Sequence, residues 1–283
     1  MPAQAPSTPT PFTVAPAPGL RLRGESAGEG PAVVLLHGLT ATRRYVVQGS
    51  RHLLSRGHRL VSYDARGHGE SDPAPARGAY GYPDLVGDLE AVLDALELER
   101  AVLAGSSMGA ATAAGFALAR PDRVRALIQI TPAHRGAGQL GSEALAHWDE
   151  LADTLAAGEV DAFVAATGVD DLPERWRRPA RLATRQRIER HRDLAAVADA
   201  LRAVPRSAAF ASLDRLDALS MPTLVVGSRD EADPGHPLAV AEEYARRLPR
   251  AELLVEDADS APLAWRGARL SHAIGDFLDR VQE

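Results

Sequence analysis

Gly105-Ser106-Ser107-Met108-Gly109 is the segment of this chain whose residue types and spacing point most directly to chemistry. The pattern Gly-x-Ser-x-Gly carries a serine on a strained strand-to-helix turn. Its glycines are needed because a Cβ at either place would collide with neighbouring backbone. By spacing, Ser107 is the nucleophile and Ser106 occupies a variable position that faces the pocket. The apolar run AVLA precedes the segment and a small-residue helical stretch follows it, which is the context the motif requires. A serine held this way can attack an acyl carbon if three further parts exist. These are donors for the developing oxyanion, a base for the hydroxyl proton, and a carboxylate that orients the base.

The oxyanion donors have candidates. LLHGLT follows the apolar run at 32–36, and its turn can present the N–H of Leu39, with the N–H of Met108 at the helix start as the second donor. His37 in the same turn lies against the pocket, and its imidazole is expected to brace the loop rather than act as a base.

These parts need a scaffold. Short apolar runs recur at 32–36, 59–63, 101–104, 125–130, 222–226 and 251–256, each bounded by Gly, Pro or charge as buried parallel strands are. Amphipathic segments alternate with them. From Tyr82 onward, Leu85, Leu89, Val92, Leu93 and Leu96 share one helical face. The alternation predicts an α/β fold, a mostly parallel sheet with helices on both faces. Between residues 133 and 219 the rhythm is helical throughout, which predicts a lid inserted at a strand's carboxyl end, where such sheets bind ligands. The core then comprises 19–132 and 220–283.

Residues 1–18, rich in Pro, Ala and Thr and without an apolar core or early positive charge, read as a disordered leader rather than a signal peptide. With no apolar run long enough to span a bilayer, the expected location is cytoplasmic. A net charge of −6 argues against a nucleic-acid or acidic-membrane partner and leaves a small-molecule substrate. The chain has no cysteine and no lysine, so disulfides and thiolate metal sites are excluded and the redox compartment is undetermined. Oligomeric state is not legible.

HG at 37, YDARGHGES at 63–71, GSSMG at 105–109 and PTLVVGSRDEADP at 222–234 occur together in an order that resembles the α/β-hydrolase superfamily, in particular its esterase, enol-lactonase and peroxidase-like members. The resemblance covers nearly all of the chain after the leader. It implies that His68 in RGHGES belongs to a structural turn below the site, with Arg66 and Ser71 bonding locally. It implies no metal or organic cofactor, and it disfavours halide or epoxide chemistry, for which relatives use a carboxylate at the elbow. It also implies that Asp230, matching Gly-x-x-Asp-x-x-x-Pro from Gly227 to Pro234, is the orienting acid, with Asp233 as the second candidate.

The family's histidine should follow the last strand, but VEDADSAPLAW places Ser260 there, and a serine hydroxyl is no base near neutral pH. Three readings stay open. Another histidine acts as base: His236 in DPGHP, near Asp230, is the first choice, and His134 in TPAHRG the second, its alternative role being to line the pocket. His272 is expected on the surface. Alternatively, the chain is a hydrolytically inactive ligand-binding protein on the same fold. In the third reading, the substitution leaves a trapped or feeble enzyme. The expectation adopted is the first: a serine hydrolase of small carboxylic esters, lactones or thioesters acting through an acyl-Ser107 intermediate, with Asp230 as acid and His236 as displaced base.

Overall fold

The computed structural model describes residues 8–282. Its sheet has eight strands in the order β1-β2-β4-β3-β5-β6-β7-β8. These are β1 (Thr10–Ala17), β2 (Leu20–Ala27), β3 (Ala32–Leu36), β4 (Arg59–Tyr63), β5 (Ala101–Ser106), β6 (Val124–Ile130), β7 (Thr223–Val226) and β8 (Ala251–Leu254). From β4 to β8 all neighbours pair in parallel, while β1–β2 and β2–β4 are antiparallel. All six strands expected from the apolar runs are present.

Residues 10–17, expected within a disordered leader, form β1 instead; residues 1–7 of that leader lie outside the described residues. The Pro-rich composition misleads here because β1 is an edge strand, where a proline's missing N–H need not cost a ladder bond. Its Val14 is buried, and its neighbour β2 alternates buried Leu20 and Leu22 with exposed Arg21.

The helices are α1 (His52–Ser55), α2 (Tyr82–Ala95), α3 (Met108–Ala119), α4 (Ser142–Ala156), α5 (Val160–Ala166), α6 (Glu174–Ile188), α7 (Leu194–Ala203), α8 (Leu238–Arg247) and α9 (Gly267–Gln282). One apolar cluster holds α2, α3 and α8 against one face of the sheet, and a second holds α9 against the other. The predicted face of α2 is buried at Leu85, Leu89, Val92 and Leu93, with Leu96 half-buried.

Helices α4 to α7 lie between β6 and β7. A third apolar cluster joins their Leu151, Leu155, Phe163, Ile188, Val197 and Leu201 to Leu39 and Met108 at the carboxyl edge of the sheet. The two chain passages that enter and leave this insert meet at a bridge between Gly136 and Ser212. Among the described residues, no helix is long and apolar enough to cross a membrane.

Arg66 ties the turn after β4 to α2. Its Nε and Nη2 each donate to an Asp88 carboxylate oxygen at 2.7 Å, and Asp88 has no exposed surface. Burial raises the Asp88 carboxyl above its ordinary range despite the pair, since desolvation outweighs the guanidinium's attraction. Breaking such a pair strands a buried charge. Arg66→Leu is therefore expected to lose roughly 3 kcal/mol or more in urea unfolding. Arg66→Leu combined with Asp88→Leu should recover much of that loss. Equal losses in the single and double variants would contradict this account.

Candidate active site

Ser107 stands between β5 and α3 with φ 51° and ψ −109°, a left-handed conformation that L-residues avoid. Its N–H donates to the Ile130 carbonyl at 3.0 Å and its carbonyl accepts from Ala111 at 3.1 Å, so both neighbours hold the strained turn in place. A Cβ on Gly105 would lie 2.1 Å from the Gly109 oxygen, and one on Gly109 2.2 Å from the Leu36 oxygen. Both glycines are sterically required. Ser107 is half-buried, as is Ser106, the last residue of β5.

Met108 opens α3, where a helix leaves its N–H without an intrahelical acceptor. The loop after β3 abuts the elbow: a Cβ on Gly38 would lie 3.5 Å from the Ser107 Cβ. His37 is buried and its two ring nitrogens serve backbone. Nε2 accepts the Ala65 N–H at 2.9 Å, so Nδ1 carries the proton and donates to the Gly38 carbonyl at 2.8 Å. Burial, followed by the charges of His68 and Arg43, pushes this imidazole down to about 3, which keeps it neutral. His37 braces the loop through these two contacts.

His68 is likewise buried, facing the Arg66 carbonyl at 2.9 Å and the Leu39 carbonyl at 2.6 Å. Below the loop, buried Asp64 at the end of β4 accepts the Arg43 N–H at 2.7 Å and the Glu70 N–H at 3.0 Å and pairs with the Arg43 guanidinium.

The acid and base candidates fall out differently from the sequence expectation. Asp230 is exposed and accepts the Leu238 N–H at 2.7 Å, capping α8, and no histidine pairs with it. Asp233 is the carboxylate that meets an imidazole: its Oδ1 lies 2.8 Å from His236 Nδ1, both side chains being mostly covered. Asp233, the second candidate, meets the ring in place of Asp230 because the loop curls back on itself. The Ala232 N–H bonds to the Arg229 carbonyl and the His236 N–H to the Asp233 carbonyl, and this turn sets residues 233 and 236 side by side. Burial favours the neutral His236 ring, but the charge and hydrogen bond of Asp233 outweigh it and raise the imidazole, against the charge of Arg187. Arg187, at the end of α6, donates Nη2 to Thr184 Oγ1 at 3.2 Å and has a buried Nε without an acceptor among the described residues.

His134 is not placed to shuttle protons or to line an open pocket. It is buried between Tyr82 and Phe210, its Nε2 accepts the Ala209 N–H at 3.2 Å, and burial pushes it down to about 4. His272 stacks on His52 at the exposed face of α9, ring centroids 3.6 Å apart.

Ser260 is half-buried in a loop held by other means. Buried Glu256 accepts the Arg229 N–H at 2.7 Å and the Ser228 hydroxyl at 3.2 Å, joining the loops after β7 and β8. Arg175 of α6 pairs with Asp259 at 3.0 Å and also with Glu231, and Trp176 meets Trp265 edge-on. Arg187 and His191 carry no local motif, and Asp64 and Glu256, though within the segments YDARGHGES and VEDADSAPLAW, have nothing in those segments that marks their partners.

Residues 31–264 match the family model of the alpha/beta hydrolase fold. Epoxide hydrolase 2 of Siraitia grosvenorii is 37% identical over 113 residues, which cover 40% of this chain and 36% of that protein. Among solved structures, a thermophilic esterase from Thermogutta terrifontis, with malate bound, is 28% identical with a TM-score of 0.77, covering 98% of this chain and 100% of that one. The enol-lactonase from Burkholderia xenovorans LB400 is 23% identical with a TM-score of 0.74, covering 94% of this chain and 99% of that one, a likeness of fold.

Proposed function

We propose that the chain, which belongs to the α/β-hydrolase family, hydrolyses a small carboxylic ester, lactone or thioester through an acyl-Ser107 intermediate. The observation that carries this reading is the backbone of Ser107, a non-glycine residue at φ 51° between two glycines that tolerate no Cβ. Strain of this kind costs of order 1–3 kcal/mol and persists where its surroundings over-determine it, chiefly at functional sites. The likeness to the Thermogutta terrifontis esterase over the full length of both chains supports ester chemistry. Epoxide opening by a carboxylate nucleophile has no counterpart here, since the elbow carries serine.

In the proposed cycle, His236 takes the Ser107 proton as the hydroxyl oxygen attacks the acyl carbon, and the N–H groups of Leu39 and Met108 stabilise the oxyanion. Asp233 stabilises the imidazolium, which then protonates the leaving alcohol or thiol. A water molecule, deprotonated by the same ring, releases the acid. The substrate is a small molecule, and the scheme uses no metal or organic cofactor.

A fluorophosphonate probe, located by mass spectrometry, tests the reading. A single adduct on Ser107 is expected. If Ser107 stays unlabelled in the wild type but is labelled in Ser260→His, the protein is a ligand-binding member of the family and the hydrolytic reading fails.

The raised His236 imidazole adds a pH prediction. Only the neutral ring can accept the serine proton, so kcat/KM should rise with pH along a limb whose midpoint lies above the ordinary imidazole value of 6.5. Asp233→Asn removes the charge that holds the proton on the ring, while the Arg187 charge remains, so the midpoint should move to lower pH as activity falls. A limb unmoved by Asp233→Asn would separate His236 from the rate.

A further inference from the structure

We propose that His191, from the helical insert, is a positioning residue that makes the orientation of the Leu39 N–H depend on docking of the insert. The proposal rests on the reading of Leu39 as an oxyanion donor.

Three consecutive carbonyls of the loop after β3 each face a different imidazole. Gly38 O accepts from His37 Nδ1 at 2.8 Å, Leu39 O faces His68 Nε2 at 2.6 Å, and Thr40 O faces His191 Nε2 at 3.3 Å. The rings come from three parts of the chain: the end of β3, the turn after β4, and the connection between α6 and α7. The rings are in contact in series, tilted for His37 and His68 with centroids 5.1 Å apart and edge-on for His68 and His191 at 5.5 Å.

The tautomer of His191 follows from its partners. Nδ1 accepts the Gly69 N–H at 2.9 Å, so the proton sits on Nε2 and points at Thr40 O. Burial, and next the neighbouring His68, push the ring down to about 3, so it stays neutral at working pH. The Arg192 N–H donates to Gly69 O at 3.0 Å, so residues 191 and 192 grip both polar groups of Gly69 and seat the insert on the turn after β4.

A trans peptide points its C=O and N–H in opposite directions, so a hydrogen bond to one end sets the other. His191 holds the Thr40 carbonyl and thereby directs the Ala41 N–H, which donates to Gly38 O at 3.0 Å. Gly38 O, held by Ala41 and His37 together, then directs the Leu39 N–H the opposite way. Two peptide planes thus separate an insert residue from the proposed oxyanion donor. His37 and His68 belong to the core, whereas His191 is the ring that comes with the insert, so the Ala41 half of the hold on Gly38 O depends on the insert.

The test compares wild type with His191→Leu and His191→Gln. Glutamine retains an acceptor for the Gly69 N–H or a donor for Thr40 O, whereas leucine retains neither. Amide hydrogen exchange of the peptide spanning residues 38–45, followed by mass spectrometry on the free protein, needs no activity and should be faster in His191→Leu than in wild type. Helices α4 and α5 should be unchanged. Fluorophosphonate labelling of Ser107 should slow roughly 10- to 100-fold, as expected when a reacting group is misplaced by a fraction of an ångström, and turnover should fall in kcat with little change in KM. His191→Gln should recover part of both losses. If labelling is absent in every variant but loop exchange still responds, the clamp stands and the hydrolytic reading falls. Unchanged loop exchange in His191→Leu, or loosening spread equally over α4 and α5, would overturn the proposal.

Discussion

Ser107→Ala is expected to lose fluorophosphonate labelling entirely and to lower kcat/KM for a small activated ester by roughly 10⁴- to 10⁶-fold, because removing the nucleophile forfeits the covalent route and leaves only binding and the oxyanion donors. The far-ultraviolet circular dichroism should be unchanged, since the side chain accounts for none of the backbone bonds that hold the turn, which run to Ile130 and from Ala111. Ser107→Gly provides a second arm. Glycine adopts φ 51° freely, so this variant should be as inactive as alanine yet more stable than wild type by about 1 kcal/mol, the strain being released. Turnover retained in either variant, measured on protein free of contaminating esterase, would remove Ser107 from the reaction.

The next largest effect falls on the proposed base. With His236→Ala, kcat should drop by roughly 10³- to 10⁴-fold with KM nearly constant, as for loss of a general base that acts only in the transition state. The two aspartates should then separate cleanly. Asp233→Asn keeps a hydrogen bond to Nδ1 but not the charge that stabilises the imidazolium, and a substantial loss of kcat is expected. Asp230→Ala removes the side chain that caps α8 through the Leu238 N–H, and should cost about 1 kcal/mol of stability with little change in the chemical step. If Asp230→Ala abolishes turnover while Asp233→Asn and His236→Ala leave it intact, the base and acid are not this pair, and the loop carrying Ser260 becomes the place to look.

A histidine absent from the loop after β8 raises the question of what else holds that loop. The answer in this chain is ionic and aromatic. Glu256 binds the loop after β7, Arg175 pairs with Asp259, and Trp176 packs on Trp265, so the insert and both loops form one connected rim around the carboxyl edge of the sheet. The same insert reaches the other side of the site through His191. Substitutions in the insert, at Arg175 or Trp176 of α6 and at His191 after it, can therefore affect the elbow's surroundings from two directions without touching Ser107.

The sheet, the elbow and the position of the helical insert were determined by the sequence itself, because each depends on local rules: short apolar runs bounded by breakers, two glycines around a serine, and a long helical rhythm starting at a strand end. The strand at Thr10–Ala17 was hidden by composition, since proline is tolerated on an edge and only pairing with β2 shows the edge to be there. The choice between Asp230 and Asp233 also lay beyond the sequence. Both sit in one short segment, and only the turn that brings residues 233 and 236 together decides which carboxylate meets the ring and which caps a helix. His134, a candidate base in the chain, is sealed between Tyr82 and Phe210, whereas His191, which no motif marks, lies against the Thr40 carbonyl. Periodicity and steric motifs act over a few residues and can be read along the chain; the partner of a buried charge or imidazole, three residues away for His236 and 151 for His191, is selected by desolvation, which only the packed structure imposes.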